Sequence, residues 1–405
     1  MSGPARVLYI VDGLGLSGKT KAMVDLIAGL TPDRYGASVV CFDTEESPLA
    51  DRLKKLDVPI EEIPCPDRLN IGVMARIATI VRRLRPAVIH CYNPRTMLYG
   101  GTVARLLGVR AALGTLSAFA CLTPDVEYPF LPQRLVSTSR RNRLRNQVSA
   151  RLVKKIVSVS PSLGQNFCRY NRIPLDRLCT VPYGVDVERF ASIPADRIAA
   201  FRGRQNIGPE AIVVGSVGRL VEQKDYPTQL RAFALAAARN PALLMLLVGD
   251  GPLRGELEAL AGSLGIAGRV RFAGHLNDVP VALGAMDVYV LASKFEPYGV
   301  AILEAKAAGC AIVATRVNEV PEILSEDRPG GDAAGRLVPP ADPAAMAEAF
   351  VALAADPAAR KALGARAARE AAHKHSLHAA IHAYQGLYDE LRGLPVQEVV
   401  GRVAL

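Results

Sequence analysis

"RVLYIVDGLGLSGKTKAMVDLIAGL", residues 6–30, joins a run of apolar β-formers to a glycine-rich turn and then to a helical pattern. Strand, turn and helix in that order open a βαβ unit. Within the turn, Gly13–Thr20 fits G-x-x-x-x-G-K-[ST], a loop that cradles phosphates. One reading is a P-loop NTPase or kinase, with Lys19 on the phosphates and Thr20 on Mg²⁺. Asp43, at the end of "ASVVCFD", would then be the metal-side carboxylate. The same turn also suits other doubly wound folds, which equally need glycine for close approach and a helix N-terminus aimed at an anion.

The rest of the chain repeats that unit. In the first half, "RVLYIVD", "ASVVCFD", "PIEEIPC", "AVIHCYN", "AALGTLS", "KIVSVS" and "LCTVPYG" read as strands. In the second, "AIVVGSVG", "ALLMLLVG", "RVRFAG", "VYVLAS", "AIVAT" and "GRLVP" do. Helical stretches such as 71–85 separate them. This alternation predicts parallel sheets covered on both faces, and two such series predict two doubly wound α/β domains. The pattern breaks between 185 and 210, so we place domains at 1–190 and 191–385. The segment "HSLHAAIHAYQGLYDELRGL" reads as a long amphipathic helix.

Composition narrows the class. The chain has 405 residues, half of them hydrophobic and 22% charged, which is ordinary for a soluble protein. No window approaches the roughly 18 consecutive apolar residues of a membrane span, and nothing at the N-terminus reads as an export leader. Seven scattered cysteines without C-x-x-C spacing point away from disulfides and zinc and toward a reducing cytosol. Net charge is +10. The excess is densest in 134–155, where Arg134 to Lys155 include eight basic residues and no acid. With little aromatic interleaving, this patch suits an anionic membrane surface better than nucleic acid. The expected location is therefore cytoplasmic, with a peripheral contact at the inner face of the cell membrane.

Three segments lie where an α/β sheet binds ligands, at strand ends beside helix starts. "GSVGRLVEQKDY" (215–226) offers Gly218 for close approach, then Arg219 and Lys224, a pair of cations suited to a diphosphate. "KFEPYGVAILEAKAAG" (294–309) sets Glu296 and Glu304 on either side of a turn that opens a helix. The N–H groups at that helix start would face an anion, and the two carboxylates could hold hydroxyls on either side of it. The third segment is the opening loop, with Gly15, Ser17 and Gly18.

These residues, in this order, resemble the retaining glycosyltransferases of family 4. The likeness runs over essentially the whole chain and is strongest from "VGRLVEQKDY" through "FEPYGVAILEAKAAG" to "GRLVPPADPAAMAEAF". It implies a GT-B fold, two Rossmann-like domains facing a cleft, with the last helix (about 386–405) packing back on the first domain. It also implies transfer of a sugar from a UDP- or GDP-sugar to an acceptor, with a lipid-linked glycan of polysaccharide or glycoconjugate biosynthesis expected. Arg219 and Lys224 would neutralise the diphosphate. Glu296 would meet the donor sugar's hydroxyls, with Phe295, Pro297, Tyr298, Gly299 and Val300 around sugar and phosphate, and Glu304 would take the ribose. The base would lie near Arg271, His275 and Leu276. Gly15, Ser17 and Gly18 would close over the phosphates.

On this reading no cofactor or metal is needed, and the chain contains no D-x-D. His90 and Ser117 are acceptor-side candidates. Ser117 stands where the family often has histidine, and Tyr183 replaces the asparagine of N-G-V-D, so the donor sugar is left open. His378 and His382, one turn apart, read as a solvated helix face. The alternatives are the P-loop enzyme and a GT-B scaffold that is epimerase-like or inactive.

Overall fold

The computed structural model describes residues 3–15, 17–43, 47–65, 69–116, 140–296, 298–325 and 333–395. They divide into two compact units. The first runs to Gly184 and resumes at Leu377, and the second is Val185–Ser376. The crossings thus fall at 184 and 377, not at 190 and about 386. Val185 already belongs to the second unit because its N–H donates to the His375 carbonyl (2.7 Å).

Unit 1 contains β1 (Ala5–Gly13), α1 (Gly18–Ala28), β2 (Tyr35–Asp43), α2 (Pro48–Lys55), β3 (Ile60–Glu62), α3 (Ile71–Leu84) and β4 (Val88–Tyr92). It continues with α4 (Pro94–Leu106), β5 (Ala111–Thr115), α5 (Arg140–Leu152), β6 (Lys155–Ser158), α6 (Pro161–Asn171) and β7 (Leu178–Thr180). Unit 2 begins with α7 (Val187–Ala191), α8 (Ala195–Arg204), β8 (Ile212–Val217), α9 (Tyr226–Ala237), β9 (Leu243–Val248), α10 (Arg254–Ser263) and β10 (Val270–Gly274). Next come α11 (Val279–Gly284), β11 (Val288–Leu291), α12 (Val300–Ala307), β12 (Ala311–Thr315), α13 (Val320–Ile323), β13 (Arg336–Val338), α14 (Pro343–Ala355) and α15 (Pro357–Lys374). Finally α16 (Leu377–Arg392) returns to unit 1.

Each quoted apolar run holds one strand. They form a seven-stranded sheet, β3-β2-β1-β4-β5-β6-β7, and a six-stranded sheet, β10-β9-β8-β11-β12-β13. All strand pairs are parallel, as between β1 and β4 or β8 and β11. Helices cover both faces, so the interior strands are buried on both sides and read as continuous apolar stretches, while the edge strands β3, β10 and β13 are only partly buried. Strand order reverses between β1 and β4 in one sheet and between β8 and β11 in the other, and a crevice forms beyond the carboxyl ends at such a point.

The helix α16 belongs to the core of unit 1. Leu387 and Tyr388 are fully buried against Tyr9, Tyr35 and Val157. Gly29 ends α1 where a Cβ would lie 2.1 Å from Ile381 Cδ1, so α16 packs directly on that turn. Arg34 Nη2 donates to Asp389 (2.6 Å), and Gln385 Nε2 donates to Thr31 (3.0 Å).

Candidate active site

The switch point of the second sheet gathers the residues singled out from sequence. After β8 the chain passes through Gly218, Arg219 and Leu220. The Gly218 N–H donates to the Val248 carbonyl (2.9 Å) and the Leu220 N–H to the Asp250 carbonyl (3.0 Å). The facing turn comes so close that only glycine fits. A Cβ on Gly249, at φ +128°, would lie 2.0 Å from the Gly218 oxygen, and one on Gly251 would lie 2.5 Å from that of Leu220. Held on both sides, Arg219 projects its exposed guanidinium with no ion pair among the described residues.

Lys224 closes the short helical turn Glu222–Lys224 before α9. Its Nζ donates to Glu296 Oε2, forming an ion pair whose side chains are 18% and 8% exposed. Ser293 Oγ donates to the same oxygen (3.2 Å), and the Glu296 N–H donates to Asn318 Oδ1 (3.1 Å). Gln223 ties the two segments together: its Nε2 donates to the Phe295 carbonyl and its own carbonyl accepts the Lys294 N–H, both at 2.9 Å. Glu296 is therefore fixed at its backbone and its carboxylate.

Gly299, at φ +80°, starts α12 without a side-chain cap. The Ile302 N–H turns back to the Gly299 carbonyl (2.8 Å), leaving Val300 and Ala301 as donors without a partner among the described residues. Phe295, Tyr298 and Glu304 are buried around this helix start. Pro297 lies outside the described residues. Two cations, a fixed carboxylate and an open helix N-terminus thus belong to adjacent strand ends, an arrangement that can neutralise a diphosphate and hold the hydroxyls of a sugar attached to it.

In unit 1 the opening loop departs from a P-loop. Gly13 is still within β1, in register with Asp43 of β2. Ser17 caps α1, accepting the Thr20 N–H (3.2 Å), and its hydroxyl also bonds that of Thr20 (2.9 Å). Thr20 is buried, so the hydroxyl a P-loop gives to Mg²⁺ is instead bonded to the capping serine. Burial pushes the Lys19 ammonium below its usual range, with Asp12 opposing the shift.

Two models of known families match these segments. That of the glycosyl transferases group 1 matches residues 198–370, and that of Glycosyltransferase Family 4 matches residues 17–189. The chain belongs to the family 4 glycosyltransferases. It is 41% identical over 134 residues to the lipopolysaccharide core biosynthesis glycosyltransferase LpsE of Rhizobium meliloti, covering 33% of this chain and 38% of that one. It is 26% identical over 353 residues to the sulfoquinovosyl transferase SQD2 of Arabidopsis thaliana, covering 85% of this chain and 65% of that one. The match thus spans less than two thirds of the length of these curated relatives. Among solved structures, Anabaena Alr3699/HepE in complex with UDP superposes with a TM-score of 0.79 at 18% identity, over 96% of this chain and 100% of that one. The shared architecture is the GT-B fold.

Several residues of this family 4 glycosyltransferase sit differently from expectation. Arg271 is the second residue of β10, near the amino end of the strand. Its guanidinium bonds the carbonyls of Gln205 and Gly268 (both 2.9 Å), which anchors the end of α8 and takes it away from a base. His275 and Leu276 do follow the carboxyl end of β10. His90 is fully buried, between the Tyr388 hydroxyl on Nδ1 (2.8 Å) and Thr115 Oγ1 on Nε2 (2.7 Å), so it packs and does not reach an acceptor. Ser117 lies outside the described residues. Sequence reading missed Ser293, Gln223 and Asn318, which act through tertiary contacts and follow no local spacing. Only "GDG" (249–251) carried a local sign, its glycines.

Proposed function

We propose that the chain transfers a hexosyl residue from a nucleotide diphosphate sugar to an acceptor with retention at the anomeric carbon. The observation behind this reading is the Lys224–Glu296 pair beside the uncapped start of α12. As the glycosidic C–O bond breaks, negative charge develops on the leaving diphosphate. Arg219, Lys224 and the N–H groups of Val300 and Ala301 would stabilise that charge without a metal. Glu296 would hold the sugar's hydroxyls and Glu304 the ribose. UDP in the Anabaena structure supports a uridine donor.

The acceptor we favour is a lipid-linked glycan, met from the cytoplasmic face of a membrane. LpsE, named for lipopolysaccharide core biosynthesis, supports it. So does α5, which exposes Leu144 and Val148 one turn apart beside Arg145 and Arg151, the mixture an interfacial helix uses. No helix among the described residues is long and apolar enough to cross a membrane. The test is incubation with a panel of UDP- and GDP-sugars and lipid-linked acceptors, following nucleotide release and the anomeric signal of the product. Release from none of them, or an inverted product, overturns the proposal.

A further inference from the structure

The C-terminal histidines contain a pair that the proposed chemistry does not use. His378 and His382 lie one turn apart on α16, both exposed, with Nε2 atoms 3.0 Å apart. The opposite face of the helix is locked into unit 1 by Ile381, Tyr384 and Tyr388, so the backbone carrying the pair is held. We infer that His378 and His382 together chelate a tetragonal divalent metal ion, copper(II) or nickel(II).

Two imidazole nitrogens bonded at about 2.1 Å in neighbouring positions of a square or octahedron stand about 3.0 Å apart, against about 3.4 Å in a tetrahedron. The two Nε2 atoms hydrogen-bond to each other at 3.0 Å, a spacing that matches neighbouring square or octahedral positions, and a metal ion would replace the proton between them. Nitrogen ligands with tetragonal geometry favour copper(II) and nickel(II). Each ring would keep its proton on Nδ1 and give the Nε2 lone pair to the ion, with water in the remaining positions. Arg34 is the facing cation, and Asp389 engages it (2.6 Å). No group of three or more ligating side chains occurs among the described residues, so the chelate rests on these two.

The test uses the full chain without an affinity tag. Titration with copper(II), read by electron paramagnetic resonance, should show one ion per chain with nitrogen hyperfine structure. The paired variant His378→Ala/His382→Ala should lose that signal, and His373→Ala should keep it. Nickel(II) should raise the melting temperature of the wild type and leave that of the paired variant unchanged. A copper signal that persists in the paired variant overturns the inference, as does a wild type that binds neither ion. Zinc binding more tightly than nickel would overturn the tetragonal assignment.

Discussion

At Glu296 three contacts converge, from Lys224, Ser293 and Asn318, and each serves a different purpose. Lys224 balances charge, Ser293 orients the carboxylate, and Asn318 holds the backbone. We expect Glu296→Ala and Lys224→Ala each to lower kcat by about 10²-fold or more, the scale of removing one preorganised charge-stabilising group. Lys19→Ala should keep substantial activity, and loss confined to that variant would contradict the assignment of roles. Asn318 is more demanding, since it sits at φ +45° as well as accepting the Glu296 N–H. Asn318→Asp retains an acceptor and should stay near wild type. Asn318→Gly relieves the backbone but loses the bond, and should lower kcat with little change in melting temperature. Equal kcat for the Gly and Asp variants would leave the hydrogen bond without a role.

Among elements, α16 shows what a linear reading finds and what it misses. Its amphipathic pattern was plain, and so were the interior strands, because strands buried on both faces must be apolar throughout; the edge strand β3, Ile-Glu-Glu, was legible only from its place in the alternation. What the pattern hides is the polar seam inside the core. The Tyr388 hydroxyl bonds both the Tyr9 hydroxyl (3.0 Å) and His90 Nδ1, and Thr115 bonds His90 and the Tyr384 hydroxyl (3.3 Å). A histidine ending the run "AVIHC" has the same local signature whether it meets a ligand or a tyrosine 298 residues away. Arg271 deceived for a related reason: position along a strand, not nearness to a motif, decides which end a side chain serves. We expect Tyr388→Phe to leave two buried groups short of a partner and to cost about 1–3 kcal/mol in urea unfolding. No loss would mean that the seam is held by packing alone. On the outer face of α5, Leu144→Ser/Val148→Ser should reduce co-sedimentation with anionic vesicles, and added salt should reduce it further. Unchanged binding would remove α5 from the membrane contact.

For the whole molecule, acid acts on both units at once. Burial pushes His90 in unit 1 down to about 3, and His375 in unit 2 to about 3 by burial and then by Lys306. Unfolded, each would titrate near 6.5, so the unfolded state binds more protons between those values. Stability should therefore fall as pH drops from about 6.5 toward 3, by up to about 1.4 kcal/mol per pH unit in each unit. Unit 2 should lose more below about 4.5. Burial alone would raise the Glu370 carboxyl, but the fully buried Lys306 (2.8 Å), Lys374 and Ser325 hold it at about 2. Urea midpoints between pH 7 and 4 provide the check, and a flat profile would contradict it. His90→Gln should flatten the unit 1 transition alone.

The way the chain leaves unit 1 at Gly184 and returns at Leu377 makes unit 2 an insertion. Val185 bridges Ser376, so the inserted stretch begins and ends at one place. A ribosome therefore releases every strand and helix of unit 2 while the first sheet still lacks the helix that seals it. Tyr9, Tyr35 and His90 wait through the synthesis of nearly two hundred residues for Tyr388 and Asp389 to emerge. The first unit to begin is the last to close, and a nascent chain halted before α16 would expose its unfinished core to chaperones.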